Sequence, residues 1–287
     1  MSIATPVPIH PPVAAPRAPA SAGAPRTAAL RALVRRGLVD NRRAPLVWGG
    51  PLGVMSALVV ALYPSIRTTL TEAVDSFPAG LKEAVGITDL GTVEAYLNAE
   101  MFSLFLPLAV AFFAIRAIAA SISGAEEHGY LDALLATPLA RRGLVAGAFA
   151  TTALLVAAML VVVGALTAAG AAIVGEPLAL GRLVAALAGV WALALFFAGC
   201  ATLAAGLLHR AAPVVGTCAG LLGAMYLLDV LGKLADGLGA LRWLSAFRYF
   251  GTPLLDGLDP AGFAVLVVGG VALAAAGALR YERRDIA

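Results

Sequence analysis

Side chains able to perform catalysis or bind a metal are few and widely separated in this sequence. His10, His128 and His209 are far apart along the chain, so their spacing does not indicate a metal cluster. Lys82 and Lys233 are followed by Glu and Leu, which excludes the GxxxxGK(S/T) loop that binds nucleotide phosphates. Neither the paired aspartates of prenyl transfer nor a GxSxG nucleophile motif occurs. We therefore predict no catalytic, cofactor or metal site in this chain.

The segment at about 124–138 has the pattern of a short amphipathic helix. Ser123 and Glu126 have the spacing of a capping box, which predicts a helix start, and Pro138 predicts its end. Its apolar stripe requires burial, either on helices of the same chain or in a groove of another protein, and the residues alone leave both open. The stripe comprises Tyr130, Leu131, Leu134 and Leu135, while Glu126, Glu127 and Asp132 lie on other faces.

Few charges or thiols fall inside the long apolar stretches of the chain. Arg116 lies in the second stretch, at about 101–123. It is about seven residues from the end at residue 123, which is the inner end in the orientation given below. It either extends toward the lipid headgroups or makes a charged contact near the inner mouth of a path through the protein. Asp229, near the outer end of the fifth stretch, is expected to be wetted by an outer vestibule. Cys200 and Cys218 are interpreted as packing residues rather than ligands or a disulfide.

Six apolar stretches determine the class of this protein. A helix of about 18 or more apolar residues can cross the hydrocarbon core of a bilayer. The composition agrees, because 61% of the residues are hydrophobic and only 13% are charged, with a mean hydropathy of +0.91. We predict an all-helical integral membrane protein. Its six spans lie at about 44–64, 101–123, 143–174, 182–207, 212–231 and 261–280.

The basic residues predict how the chain is oriented in a cell membrane. With both termini in the cytoplasm, the inner segments carry thirteen arginines, and the outer side carries six basic residues. Arginine-rich short loops resist translocation, so this asymmetry favours both termini inside. It also accounts for the net charge of +3 without implying nucleic-acid binding. The thirteen are arginines 17, 26, 31, 35, 36, 42, 43, 141, 142, 210, 280, 283 and 284.

The segments outside the spans have distinct characters. Residues 1–26, rich in Pro and Ala, are predicted to be a disordered tail. Residues 27–43 place apolar side chains at helical spacing, which predicts a basic amphipathic helix in the inner headgroup layer, with a solvated linker as the alternative. The outer connector 65–100 is predicted to hold two short helices around Pro78. A second outer connector, 232–260, is rich in Gly and aromatic residues and is a candidate to return toward the bilayer.

Two glycine pairs have the spacing that allows close helix packing. They are Gly49 with Gly53 in the first span and Gly216 with Gly220 in the fifth. Each pair could be a contact between subunits. Because Gly and Ala are abundant in this chain, a chance match is the alternative.

Three motifs in order resemble those of the type 2 permeases of ATP-binding-cassette exporters. The segment Glu126-x-x-Gly129-x-Leu131-x-x-Leu134-Leu135-x-Thr137-Pro138-x-x-Arg141 resembles their coupling helix. The stretch from Leu244 to Gly257 is similar to their LSPFRYY…PL…G segment, with Ala246 in place of the usual Pro. The ending at Tyr281–Ile286 is similar to their RRDI terminus. Together they extend the resemblance over residues 27–287.

The resemblance implies a transport subunit driven by a separate ATPase. Two permeases, a second copy or a related chain, would join two ATPase subunits, and ATP and Mg would be bound by those partners rather than by this chain. The first and fifth spans would line the two-fold interface, and membrane lipid would surround the assembly. The contacts with the ATPase would come from the coupling helix, at Glu126, Glu127, Tyr130, Leu131, Leu134, Leu135 and Arg141.

Two interpretations from other classes stay open on the sequence alone. An ion-coupled secondary transporter would normally carry buried carboxylates at mid-membrane, and none is evident in the spans. A membrane scaffold without a transport cycle is the other alternative. The transported molecule is not determined by these residues, since the same fold handles drugs, lipids, peptides and polysaccharides.

Overall fold

The computed structural model describes residues 26–76, 92–127, 141–234 and 236–283. Within them are six helical segments long and apolar enough to cross a membrane, and no strand. The predicted all-helical membrane class with six spans is therefore confirmed. Spans 1–6 are Ala44–Arg67 in the helix Ala44–Ser76, the segment Val93–Glu127, Arg142–Val174 in the helix Arg141–Val174, Leu180–Leu207, Ala211–Leu234 and Pro260–Glu282.

Span 2 begins earlier than the sequence predicts. Its helix starts at Val93, where Thr92 Oγ1 accepts a hydrogen bond from Ala95 N at 3.2 Å, instead of near residue 101. A π-helical turn, Asn98–Phe102, then leads into Phe105–Ser121 and Ser123–Glu127. The outer connector predicted at 65–100 therefore ends too late. At its start, span 1 ends at Arg67 and its helix continues to Ser76, where the first short helix is predicted. The second short helix predicted there falls within 77–91, outside the described residues.

A separate helix, Arg26–Asp40, precedes span 1. A turn at residues 41–43 separates the two, and Pro45 lies in the first turn of the next helix, where its missing N–H breaks no bond. Leu30 and Leu33 approach Gly147 near the start of span 3, while Arg35 and Arg36 are exposed. This helix therefore packs its apolar side on the bundle. Residues 1–25 of the predicted tail lie outside the described residues.

Two close helix pairs organise the bundle. Spans 1 and 3 run in the same direction and share a buried hydrogen bond, in which Thr167 Oγ1 donates to Ser56 Oγ at 2.8 Å. Spans 4 and 6 also run in the same direction. A Cβ on Gly277 would lie 2.5 Å from Thr202 O, so only glycine permits this approach. Of the six spans, span 4 is the most buried: 61% of an apolar stretch of 18 residues in it is buried.

The ends of the bundle differ in charge. We call the end that carries Arg142, Arg210 and Arg280 the basic end; spans 1, 3 and 5 begin there. The other end, called the far end, holds the 3-10 helix Asp236–Leu244 and the short helices Ala246–Phe250 and Pro253–Asp256. In this far-end segment, Phe247 and Leu254 are buried. The ring of Phe247 contacts that of Tyr226 at a centroid distance of 5.3 Å. The aromatic connector is thus part of the folded bundle.

Ala246, which departs from the family pattern, occupies the first position of a helix. Ser245 is the N-cap, with extended backbone angles, and its Oγ accepts a hydrogen bond from Phe247 N at 3.1 Å. Proline is favoured at this first position because it has no N–H to satisfy there, but alanine also fits it. The turn is therefore built without the proline.

Candidate coupling region and transport face

The predicted coupling helix is only partly within the described residues. Glu126 and Glu127 end the helix Ser123–Glu127, and Arg141 is the first residue of the helix of span 3. Tyr130, Leu131, Leu134 and Leu135 lie outside the described residues. The structure therefore places the two ends of this segment, and its apolar stripe stays a prediction.

The capping box predicted from Ser123 and Glu126 does not form as expected. Ser123 is itself the first residue of its helix, and its side chain is fully buried. Its Oγ has no hydrogen-bond partner among the residues that the structure describes. The helix continues from span 2 with only a brief interruption at Ile122, so it needs no independent start signal.

Glu127 connects the beginning of the segment to span 5. Its Oε1 accepts a hydrogen bond from Ala211 N, at 3.3 Å, in the first turn of that span. The first amides of a helix have no partner within the helix, and a carboxylate near them is also favoured by the helix dipole. Glu127 thus caps a helix that lies 84 residues away in sequence.

Arg142 connects the end of the segment to span 6. Its guanidinium Nε pairs with a carboxylate oxygen of Glu282, the last residue of that span. Both side chains are substantially exposed, at 58% and 37%, so the pair contributes about 0–1 kcal/mol to stability. Its importance is positional, because this pair and the Glu127 contact lie on either side of residues 128–140, which are outside the described residues.

Arg116 is exposed on the outer surface of the single chain. The helix of span 2 continues to Glu127, so Arg116 lies eleven residues before its end rather than the predicted seven. No ion pair or hydrogen bond involves its guanidinium among the described residues. The structure does not bring Arg116 together with Glu126 or Glu127, which lie at the basic end.

The two glycine pairs have different surroundings. A Cβ on Gly49 would lie 2.8 Å from Met159 O, and one on Gly53 would lie 3.1 Å from Val163 Cα. Span 3 therefore occupies this face, and a subunit contact through Gly49 and Gly53 is wrong. A Cβ added to Gly216 or Gly220 would meet no atom of the other described residues within 4 Å, so this face of span 5 is open in the described part of the chain.

Asp229 forms an ion cluster that sequence analysis missed. It is buried, at 4% exposure, so the expected wetting by an outer vestibule is wrong. Lys233 Nζ lies 2.7 Å from Oδ2 of Asp229, and Arg242 Nε lies 3.0 Å from its Oδ1. The spacing of Asp229 and Lys233 was a usable signal, since residues four apart on a helix are neighbours. The cluster holds the far-end 3-10 helix on span 5.

Nothing in the described residues forms a metal centre, because no group of three His, Cys, Asp or Glu side chains converges there. Cys200 and Cys218 are free thiols, and Cys218 is buried.

Comparison with known proteins identifies the family. A family model described as "Multidrug efflux system permease Rv1217c, C-terminal domain" matches residues 39–282. No curated protein matches the chain. The family match includes all six spans and the contacts at both ends of segment 128–140. This multi-pass membrane protein therefore belongs to the permease family that this model describes, that of the C-terminal domain of the multidrug efflux system permease Rv1217c.

Proposed function

We propose that this chain is the transmembrane permease subunit of an ATP-binding-cassette exporter. It forms the substrate path and is driven by a separate ATPase subunit through the coupling helix at about 124–138. Family membership and six spans support the transport role. The observation that carries the coupling role is the pair of contacts, Glu127 with Ala211 and Arg142 with Glu282, on either side of the segment.

The two contacts would transmit movement of the coupling helix into the bundle. Its apolar stripe, Leu131, Leu134 and Leu135 with Tyr130, docks into a groove of the ATPase. Glu127 then moves the start of span 5, and Arg142 moves the end of span 6. Helices transmit displacement along their axes because their backbone hydrogen bonds make them stiff relative to loops. Closure of the ATPases would thereby open the path on the far side.

The assembly would contain two permeases and two ATPases. The open face of span 5 at Gly216 and Gly220 is where a second permease, identical or related, fits, because small residues allow backbones to approach closely. ATP and Mg are bound by the ATPase subunits, and this chain hydrolyses no ATP itself. The basic end faces the cytoplasm, as the arginine asymmetry favours.

A docking experiment tests this function. Changing Leu134 and Leu135 to Asp should abolish co-purification of the ATPase, because an unpaired carboxylate is costly to bury in an apolar groove. Ala133→Asp with Ala136→Asp is the matched control, since it adds the same charge on the predicted opposite face of the helix. Size-exclusion chromatography checks that all variants are folded.

Retention of the ATPase and of full transport by a folded Leu134→Asp, Leu135→Asp variant would remove this segment from the coupling role. ATP hydrolysis by the purified permease alone would contradict the assignment to an ATPase-dependent subunit.

A further inference from the structure

The depth of Arg116 in the bundle follows from a contact at the basic end. Glu127 of span 2 binds Ala211 at the start of span 5, so the two residues lie at the same level. Arg116 is eleven residues from Glu127, which corresponds to about 16 Å along the helix. Eleven residues along span 5 from Ala211 lies Leu222, which is half-way along the 24 residues of that span. Arg116 thus lies near mid-membrane, since the hydrocarbon core is about 30 Å thick.

In the described part of the chain, no carboxylate at this depth neutralises Arg116. In the described spans, acidic residues lie near the ends, at Glu94, Glu100, Glu126, Glu127, Asp229 and Glu282. Asp229, seven residues beyond the level of Leu222, is already paired with Lys233 and Arg242. A second copy of the chain would bring the same described spans and therefore no counter-charge at that level.

The face that carries Arg116 is otherwise apolar. Phe105, Ala109, Phe112 and Ala120 recur with Arg116 at intervals of three or four residues, and so share one side of the helix. Phe105 is 43% exposed and Phe112 is partly exposed, while residues on the opposite side, such as Ile118, are buried. Facing lipid, an unpaired guanidinium at this depth would cost at least about 2.5–3.5 kcal/mol. The face is therefore better suited to a water-accessible path.

We propose that Arg116 is the anion-binding residue of the transport path and that the exported molecule is an amphiphile with one anionic group. This rests on the proposed function. The guanidinium binds a carboxylate, sulfate or phosphate through paired N–H donors, and the apolar body lies along Phe112 and Phe105 toward the far end. Phe105 is eleven residues from Arg116, so the face accepts an apolar body of about 16 Å.

Binding to the full chain in nanodiscs tests the proposal without the ATPase. The probes are pyrene-labelled dodecanoic acid and its methyl ester, which differ by one negative charge. The acid should bind more tightly than the ester to the wild type. Arg116→Gln should weaken acid binding by roughly tenfold or more, because a hydrogen-bonded charge contact is lost. Ester binding should be unchanged, and Arg116→Lys should retain part of the preference for the acid.

Arg280→Gln is the matched control, because it removes an exposed arginine at the basic end and changes the net charge equally. Pyrene-labelled phosphatidylglycerol and phosphatidylcholine distinguish a bilayer lipid from a free amphiphile as the source of the anion. Preference for phosphatidylglycerol that depends on Arg116 would identify a lipid cargo, and a preference for the free acid alone would identify a lipid-independent one.

Equal binding of acid and ester, or an unchanged acid affinity in folded Arg116→Gln, would overturn the proposal. An equal loss in Arg280→Gln would do the same, since it would show a general effect of charge. A separate transport assay, in which the permease is reconstituted with the ATPase, tests the proposed function. If that function fails, no probe will be moved when ATP is added. The binding result would stand in that case.

Discussion

Spans 1 and 5 carry glycine pairs of identical spacing in opposite situations. Gly49 and Gly53 are covered by the backbone and side chains of span 3, whereas Gly216 and Gly220 are open. Glycine spacing therefore marks a face that a backbone can approach, but it does not say whether the approaching helix belongs to the same chain. In this protein the small residues of span 1 serve the fold, and those of span 5 remain available for a partner.

The largest expected effect on folding comes from filling the covered pair. Gly49→Leu with Gly53→Leu should lower the free energy of unfolding by roughly 3 kcal/mol or more, because overpacking costs about 1–3 kcal/mol at each site. The measurement is the thermal unfolding midpoint in detergent. Gly50→Leu is the matched control, since no atom of the other described residues lies within 4 Å of a Cβ there. Equal midpoints for the two variants would disprove the contact between spans 1 and 3.

A smaller loss is expected from loosening span 5 at its far end. Asp229→Asn leaves the partly buried Arg242 and the more exposed Lys233 without their shared carboxylate. The expected cost is about 1–3 kcal/mol in the same unfolding assay. Glu100→Gln removes a charge at an exposed position of span 2 and should change little. If both variants behave alike, the ion cluster does not hold the far-end helix.

A still smaller loss should follow from weakening the polar contact beside the covered glycines. Ser56→Ala removes the hydroxyl that accepts from Thr167 and should cost about 1 kcal/mol. Ser65→Ala, at an exposed position of the same helix, is the control. No difference between these two unfolding midpoints would mean that the hydrogen bond between spans 1 and 3 adds nothing to stability.

The smallest effect on the single chain is expected from filling the open pair. Gly216→Leu with Gly220→Leu should keep or slightly raise stability, since Leu is favoured over Gly in a helix by up to about 1 kcal/mol per residue. Self-association, measured by single-molecule photobleaching in liposomes, should nevertheless decrease. The opposite pattern, with association lost in Gly50→Leu and retained here, would place the subunit contact on span 1.

The sequence determined the class of this protein because membrane crossing depends on local composition. Each span is an apolar run, and a run of this length requires a helix in lipid whatever surrounds it. The start of span 2 was missed because Glu94, Asn98 and Glu100 interrupt the apolar run. The tertiary structure explains why the helix tolerates the first two of these polar residues. Glu94 Oε1 accepts a hydrogen bond from Ala179 N at 3.0 Å, and Asn98 is buried.

The tertiary structure decided which surfaces remain free and how the ends of the bundle are joined. Glu127 and Ala211 are 84 residues apart, and Arg142 and Glu282 are 140 apart. Asp229 and Arg242 are closer in sequence, but their pairing requires the chain to turn back at the far end. No periodicity encodes such pairs, because they depend on how whole helices pack. The same packing covers Gly49 and leaves Gly216 open, although their sequence motifs are identical.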